Sequence, residues 1–151
     1  MSIARQRNIG AYIYPQYAAI TTTVDSEVNG AYIDRLNIGN SVGMPLSCQV
    51  VIAYSAASIA NAETVTISGN LQDATSSGGA GVADFGTALG ATVVATGDGV
   101  ITTATGVVTF DIDLSGAREF VRPQFTVATS GSATCTTAVT VVFGGFDKLG
   151  Q

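Results

Sequence analysis

From Pro45 onward, apolar and polar residues alternate with a period of two, the pattern of strands that bury one face and wet the other. Leu46, Cys48, Val50, Ile52 and Tyr54 share one parity, and Ser47, Gln49, Val51 and Ala53 share the other. Between Glu63 and Leu71 the pattern is cleaner: Val65, Ile67 and Leu71 face one way, Thr64, Thr66, Ser68 and Asn70 the other. A slip of one residue there would bury four polar side chains, so the register is strongly specified. Strand-like runs recur at Leu89–Thr96, Val107–Leu114, Phe120–Ala128 and Thr134–Phe143, with turn signals at Asp98-Gly99, Thr105-Gly106, Ser115-Gly116 and Ser130-Gly131. The polar, glycine-rich stretch at 73–81 reads as a chain reversal. The best helical candidate is the short 55–63 segment, whose alanines allow a turn or two.

The expectation is an all-β fold, an antiparallel β-sandwich of six or seven core strands, jelly roll or another Greek-key arrangement. Residues 1–42 lack clean alternation and read as an irregular N-terminal arm, with 43–151 as the sandwich domain. The alternative for the arm is a further sandwich strand at about Ala11–Ile20. Pro123 interrupts the 120–128 run and predicts an edge or a bulge, because proline cannot donate to a ladder.

Only 11% of the residues are charged, none is histidine, and Lys148 is the sole lysine, which leaves carboxylates and hydroxyls as catalytic material. Asp111 and Asp113 share a strand face at about 6.6 Å by strand rise, a spacing compatible with a glycosidase pair. A solvated strand face explains them without chemistry, and the chain has no tryptophan to platform a sugar. Asp73, Asp84 and Asp98 lie near turns, which their turn-forming habit accounts for without a cation. Residues 78–86 resemble a dinucleotide fingerprint superficially, with no helix to follow. The expectation is no enzyme activity, no cofactor and no metal.

The net charge of −5, with the basic residues scattered, disfavours nucleic acid. No apolar run approaches the length of a membrane span, and the N-terminal residues lack a secretory pattern. Cys48 and Cys135 form no CxxC and are expected as buried free thiols. The residue types enriched at protein interfaces select Arg5, Arg7, Tyr12, Tyr14 and Tyr17 in the arm as candidate partner-binding residues, with Arg122 beside the expected edge, free to meet Glu119 or a carboxylate on another chain.

Four phrases resemble the head decoration or capsid cement proteins of tailed bacteriophages: AYIDRLNIGNS at 31–41, ETVTISGNLQDATSSG at 63–78, AREFVRPQFTVATSGSAT at 117–134 and VVFGGFDKLG at 142–150. Ile33-Asp34-Arg35 corresponds to the phrase that commonly precedes the family's first core strand. Arg118 to Arg122 corresponds to the opening of its penultimate strand. The resemblance implies a β-sandwich made in the host cytoplasm and seated on the outer surface of the virion. There it would staple neighbouring major capsid proteins, commonly as a homotrimer. A receptor- or carbohydrate-binding β-module of a phage tail or secreted adhesin is the competing reading, with Tyr12, Tyr14, Tyr17 and Tyr32 as its aromatic candidates.

Overall fold

The computed structural model describes residues 13–22, 25–38, 43–100 and 102–146. Nine strands account for most of them: β1 (Tyr14–Thr21), β2 (Ser26–Asn29), β3 (Ile33–Asp34), β4 (Pro45–Ala57), β5 (Thr64–Ala74), β6 (Ala83–Thr96), β7 (Thr103–Asp113), β8 (Phe120–Thr129) and β9 (Thr134–Phe146). All pairings are antiparallel. One sheet has the order β1-β9-β4-β7 and the other β2-β8-β5-β6, with β3 continuing beyond β2 along β8.

This order is a jelly roll. The turn at 75–82 is the tip of one long folded ribbon in which β5 lies against β6, β4 against β7, β2 and β3 against β8, and β1 against β9. Rolling the ribbon up adds the β4–β9 and β5–β8 pairings and closes two sheets over one core.

The period-two faces are those of the alternation. Cys48, Val50 and Ile52 from β4, Val65, Ile67 and Leu71 from β5, Phe125 and Val127 from β8, and Val139, Val141 and Phe143 from β9 are buried between the sheets. Leu46 departs from its expected parity: Pro45 and Cys48 are both buried and the two residues between them are exposed, so the alternation slips at the mouth of β4. Cys48 and Cys135 are buried free thiols. Cys48 lies opposite Phe143 and Cys135 opposite Ala56, which separates them by about 27 Å of strand, far beyond disulfide reach.

Several expectations are corrected. The stretch read as an irregular arm to residue 42 supplies strands to both sheets over 14–21, 26–29 and 33–34, and β1 is the further strand held as the alternative. The 55–63 segment is the end of β4 followed by a turn, and no α-helix occurs among the described residues. Thr105-Gly106 is not a turn but lies within β7, near its start. A Cβ on Gly106 would lie 2.6 Å from the Tyr54 hydroxyl, so the glycine is there to let that ring cross the strand. The ring's hydroxyl then reaches across to donate to the Val94 carbonyl of β6 at 3.1 Å. Pro123 sits in an interior strand, not at an edge. Its carbonyl accepts from Gly30 N at 2.8 Å, so its nitrogen faces the same side, into the break between β2 and β3 where no ladder donor is required.

At one end of the sandwich, a single-turn 3-10 helix (Arg35–Asn37) follows β3, capped by Asp34, whose Oδ1 accepts from Leu36 N at 2.9 Å. It delivers Arg35 into a fully buried position. There the guanidinium donates to the carbonyls of Pro45 (2.9 Å), Leu114 (2.8 Å), Ala117 (2.5 Å) and Arg118 (3.0 Å). One side chain thereby ties the start of β4 to the β7–β8 connection. Arg35→Ala should cost about 3–5 kcal/mol, because the Pro45, Ala117 and Arg118 carbonyls lose a donor at about 1–3 kcal/mol for each buried group left unpaired, while the Leu114 carbonyl keeps Ala117 N at 3.0 Å. Arg35→Lys should recover little of it, since an ammonium cannot span the fork. Urea unfolding at neutral pH measures both.

Candidate functional site

The two outer faces of the sandwich differ in how their polar groups are spent. On the β2-β8-β5-β6 sheet the exposed side chains bond one another. Arg122 donates to Gln72 Oε1 through Nε (3.0 Å) and Nη2 (2.8 Å), and Gln72 Nε2 donates to Asp84 Oδ1 at 2.9 Å. Tyr32 lies beneath the Arg122 guanidinium, 4.7 Å from carbon to ring centre. Further along, Gln124 Nε2 donates to Glu27 (2.8 Å) and Asn29 (3.0 Å).

The β1-β9-β4-β7 sheet presents a different surface. The pairing registers lay its outward residues in rows across four strands: Tyr17, Thr140, Val51, Thr109 in one and Ile20, Ala138, Ala53, Val107 in the next, with Ser55 flanked by Thr136 and Thr105 beyond. Tyr17 is 67% exposed, Ile20 64% and Val107 59%. The only charges these strands carry are Asp111 and Asp113 at one end. The face measures about 19 by 35 Å at ordinary strand spacing and rise, with threonine and serine hydroxyls interleaved among its apolar side chains. A shallow open hollow of about 580 Å³ continues it, lined by Ile13, Leu46, Gln49, Asp111, Val142 and Gly144 among others.

The selected residues do not form one site. Arg5, Arg7 and Tyr12 lie outside the described residues. Tyr14 is half-buried and packs edge-on against Phe146, centroids 5.3 Å apart at 85°. Tyr17 stands on the uncharged face, and Arg122 on the opposite side of the sandwich, where Gln72 and Tyr32 hold its guanidinium. The three described tyrosines of the carbohydrate-module reading are thus separated, with no shared platform among them.

The carboxylates are engaged locally. Asp111 accepts from Gln49 Nε2 at 2.9 Å, and Asp113 accepts from Ser115 N at 2.9 Å. That backbone bond holds Asp113 below its ordinary pKa, the opposite of what a general acid needs. Asp98 accepts from Val100 N at 2.9 Å. No group of three or more metal-ligating side chains occurs among the described residues.

Sequence reasoning missed the Asp73–Arg118 pair. Asp73, read as part of a loop, is buried at the end of β5 and accepts from Arg118 N (2.9 Å), Nε (3.0 Å) and Nη2 (2.5 Å), while Arg118 Nη1 also donates to the Gly81 carbonyl. Burial pushes the Asp73 carboxyl up, but the Arg118 bonds and charge overcome it, so it titrates below its ordinary 3.8. The Arg118 phrase of the resemblance was the one available hint, and it pointed at the strand rather than at a partner forty-five residues away.

No protein-family model matches the chain, and no curated protein matches it. Among solved structures, an infectious bursal disease virus structure (Gx strain) aligns at 12% identity over 89% of this chain and 32% of that one, TM-score 0.40. The VP2 protein of the same virus aligns at 13% over 89% and 29%, TM-score 0.39. The CBM22-1–GH10 modules of Clostridium thermocellum xylanase 10B, complexed with xylohexaose, align at 6% over 93% and 27%, TM-score 0.40. The chain spans about a third or less of each of these structures.

A carboxylate with a depressed folded-state pKa stabilises the fold above its unfolded pKa and stops doing so as pH falls through the folded value. Stability should therefore fall below about pH 4. Asp73→Asn should be less stable than the parent at pH 7 and should lose less between pH 7 and pH 3, with a residual loss from Glu63 and Asp113, which are also depressed. Urea midpoints at the two pH values measure this, and identical slopes for parent and variant would refute it.

Proposed function

We propose that this chain is a non-enzymatic structural virion protein that decorates a bacteriophage head and bridges neighbouring major capsid proteins, with the outer face of the β1-β9-β4-β7 sheet as its attachment surface. The observation that carries the reading is that face: four strands wide, uncharged over most of its length, and built from Tyr17, Ile20, Val51, Val107, alanines and threonines. Desolvating such a surface costs little, because it holds few charges to strip of water, and burying it against another protein recovers hydrophobic free energy in proportion to area. The opposite face, whose polar groups already satisfy one another, has less to gain from a partner. The phrases resembling head decoration proteins supply the identity of the partner. A major capsid gene beside this one is the corresponding genetic expectation.

Co-sedimentation of the purified protein with assembled heads of that capsid protein tests the reading. Ile20→Lys and Tyr17→Asp should each weaken attachment about tenfold or more, as for large exposed side chains that an interface buries, while the circular dichroism spectrum stays unchanged. Arg122→Ala, on the other face, should attach as the parent does. Parent protein that leaves the heads bare, or an Arg122→Ala defect with Ile20→Lys intact, overturns it.

A further inference from the structure

Each sheet ends in two edges, and an edge strand carries a row of backbone N–H and C=O groups that will pair with any extended chain presented to it. Three of the four edges here are spoiled as templates. β1 contains Pro15, and its register with β9 shifts between Tyr17 and Ala19. The edge beyond β8 is broken into β2, of four residues, and β3, of two. β6 is buckled by three register shifts along β5, where Asp84–Thr96 is set against the shorter Thr64–Gln72. Bulges of this kind twist a strand away from a would-be neighbour.

β7 has none of these devices. Its eleven residues run against β4 from Ser47↔Asp113 to Ala57↔Thr103 without a shift, and they include no proline, lysine or arginine. Among the described residues no strand pairs with its free side. Val107 and Thr109 are exposed along it.

We propose that β7 is a self-association edge, pairing antiparallel with β7 of a second copy about a twofold axis at Val108 and joining two four-stranded sheets into one of eight. Full overlap of Thr103–Asp113 places the axis at the middle residue, and charge selects this partner and direction. About that axis Asp111 stands opposite Thr105, and Asp113 opposite Thr103, so each carboxylate meets a hydroxyl. In-register parallel pairing would set Asp111 against Asp111, a costly apposition in a chain of net charge −5. Val107 then stands opposite Thr109, a β-branched cross-strand pair of the kind that stabilises sheets. The contact is isologous and closes at two subunits, which explains how a regular edge is left without open-ended growth. It goes beyond the attachment reading and does not depend on it, and it replaces the homotrimer implied by the resemblance with a twofold pair; if attachment and pairing both hold, the uncharged face is doubled in width.

Sedimentation equilibrium of the full chain at micromolar concentration tests it. The parent should sediment at twice the chain mass. Val107→Lys/Thr109→Lys should raise the dissociation constant at least about tenfold, because each lysine then faces a lysine across the axis. Both side chains are exposed, so circular dichroism and the unfolding midpoint of the monomer should be retained. Ile20→Lys, on the same face but at the far edge, and Thr87→Lys/Ala91→Lys, on β6, should remain dimeric. Amide hydrogen exchange of the parent gives a reading free of mutation: alternate β7 amides should be protected when concentrated and exchange on dilution. A monomeric parent, a dimer or trimer that the β7 lysines leave intact, or β7 amides whose exchange ignores concentration would overturn the proposal.

Discussion

The buried guanidinium of Arg35 is the constraint around which the end of the sandwich is organised. A charge removed from water must be met by fixed dipoles, and here four backbone carbonyls from two separate chain segments converge on it. Burial lowers its pKa, with Cys48 and Asp73 pulling the other way. The requirement is mutual. The carbonyls of Pro45, Leu114, Ala117 and Arg118 are turned toward the guanidinium, which with the Ala117 N to Leu114 carbonyl and Leu114 N to Leu46 carbonyl bonds holds the path of the β7–β8 connection. That path positions Arg118 for Asp73, which pins the other end of β5 beside the ribbon's tip. Two arginines thus tie the corner where the rolled ribbon is least able to hold itself by sheet hydrogen bonds.

Away from that corner, the sandwich divides its labour between two outer faces. The β2-β8-β5-β6 face carries a mesh of side-chain hydrogen bonds running from Glu27 and Gln124 to Arg122, Gln72 and Asp84. The β1-β9-β4-β7 face pairs Gln49 with Asp111 and is otherwise built mainly of threonine, alanine and valine. A surface whose polar groups are already paired gains little by exchanging water for protein. A surface of threonine, alanine and valine loses little on dehydration and gains from burial, which is why attachment is assigned to it and the arginine face is not.

Of the candidate partner-binding residues, Tyr17, selected as an interface-enriched residue type in an expected arm, stands exposed at an outward position of β1. The edge expected beside Arg122 is absent, because it was read from Pro123 alone. A proline removes one donor, and whether that matters depends on what lies opposite; here a break between β2 and β3 lies opposite. Tyr14 was equally unreadable, since its partner Phe146 arrives from the far end of the chain.

What the chain's own order of residues decided is the set of strands and their faces, because side-chain direction along a strand alternates with the backbone and needs no distant information. Val65, Ile67 and Leu71 had to face one way, and Val108, Phe110 and Ile112 likewise, whatever sheet received them. The jelly-roll order, the recruitment of residues 14–34 into both sheets, the glycine beneath Tyr54, and the meetings of Arg35 with Leu114 and of Asp73 with Arg118 were decided only by the tertiary structure. Each joins residues tens of positions apart, and only the rolled ribbon brings such residues within hydrogen-bonding distance.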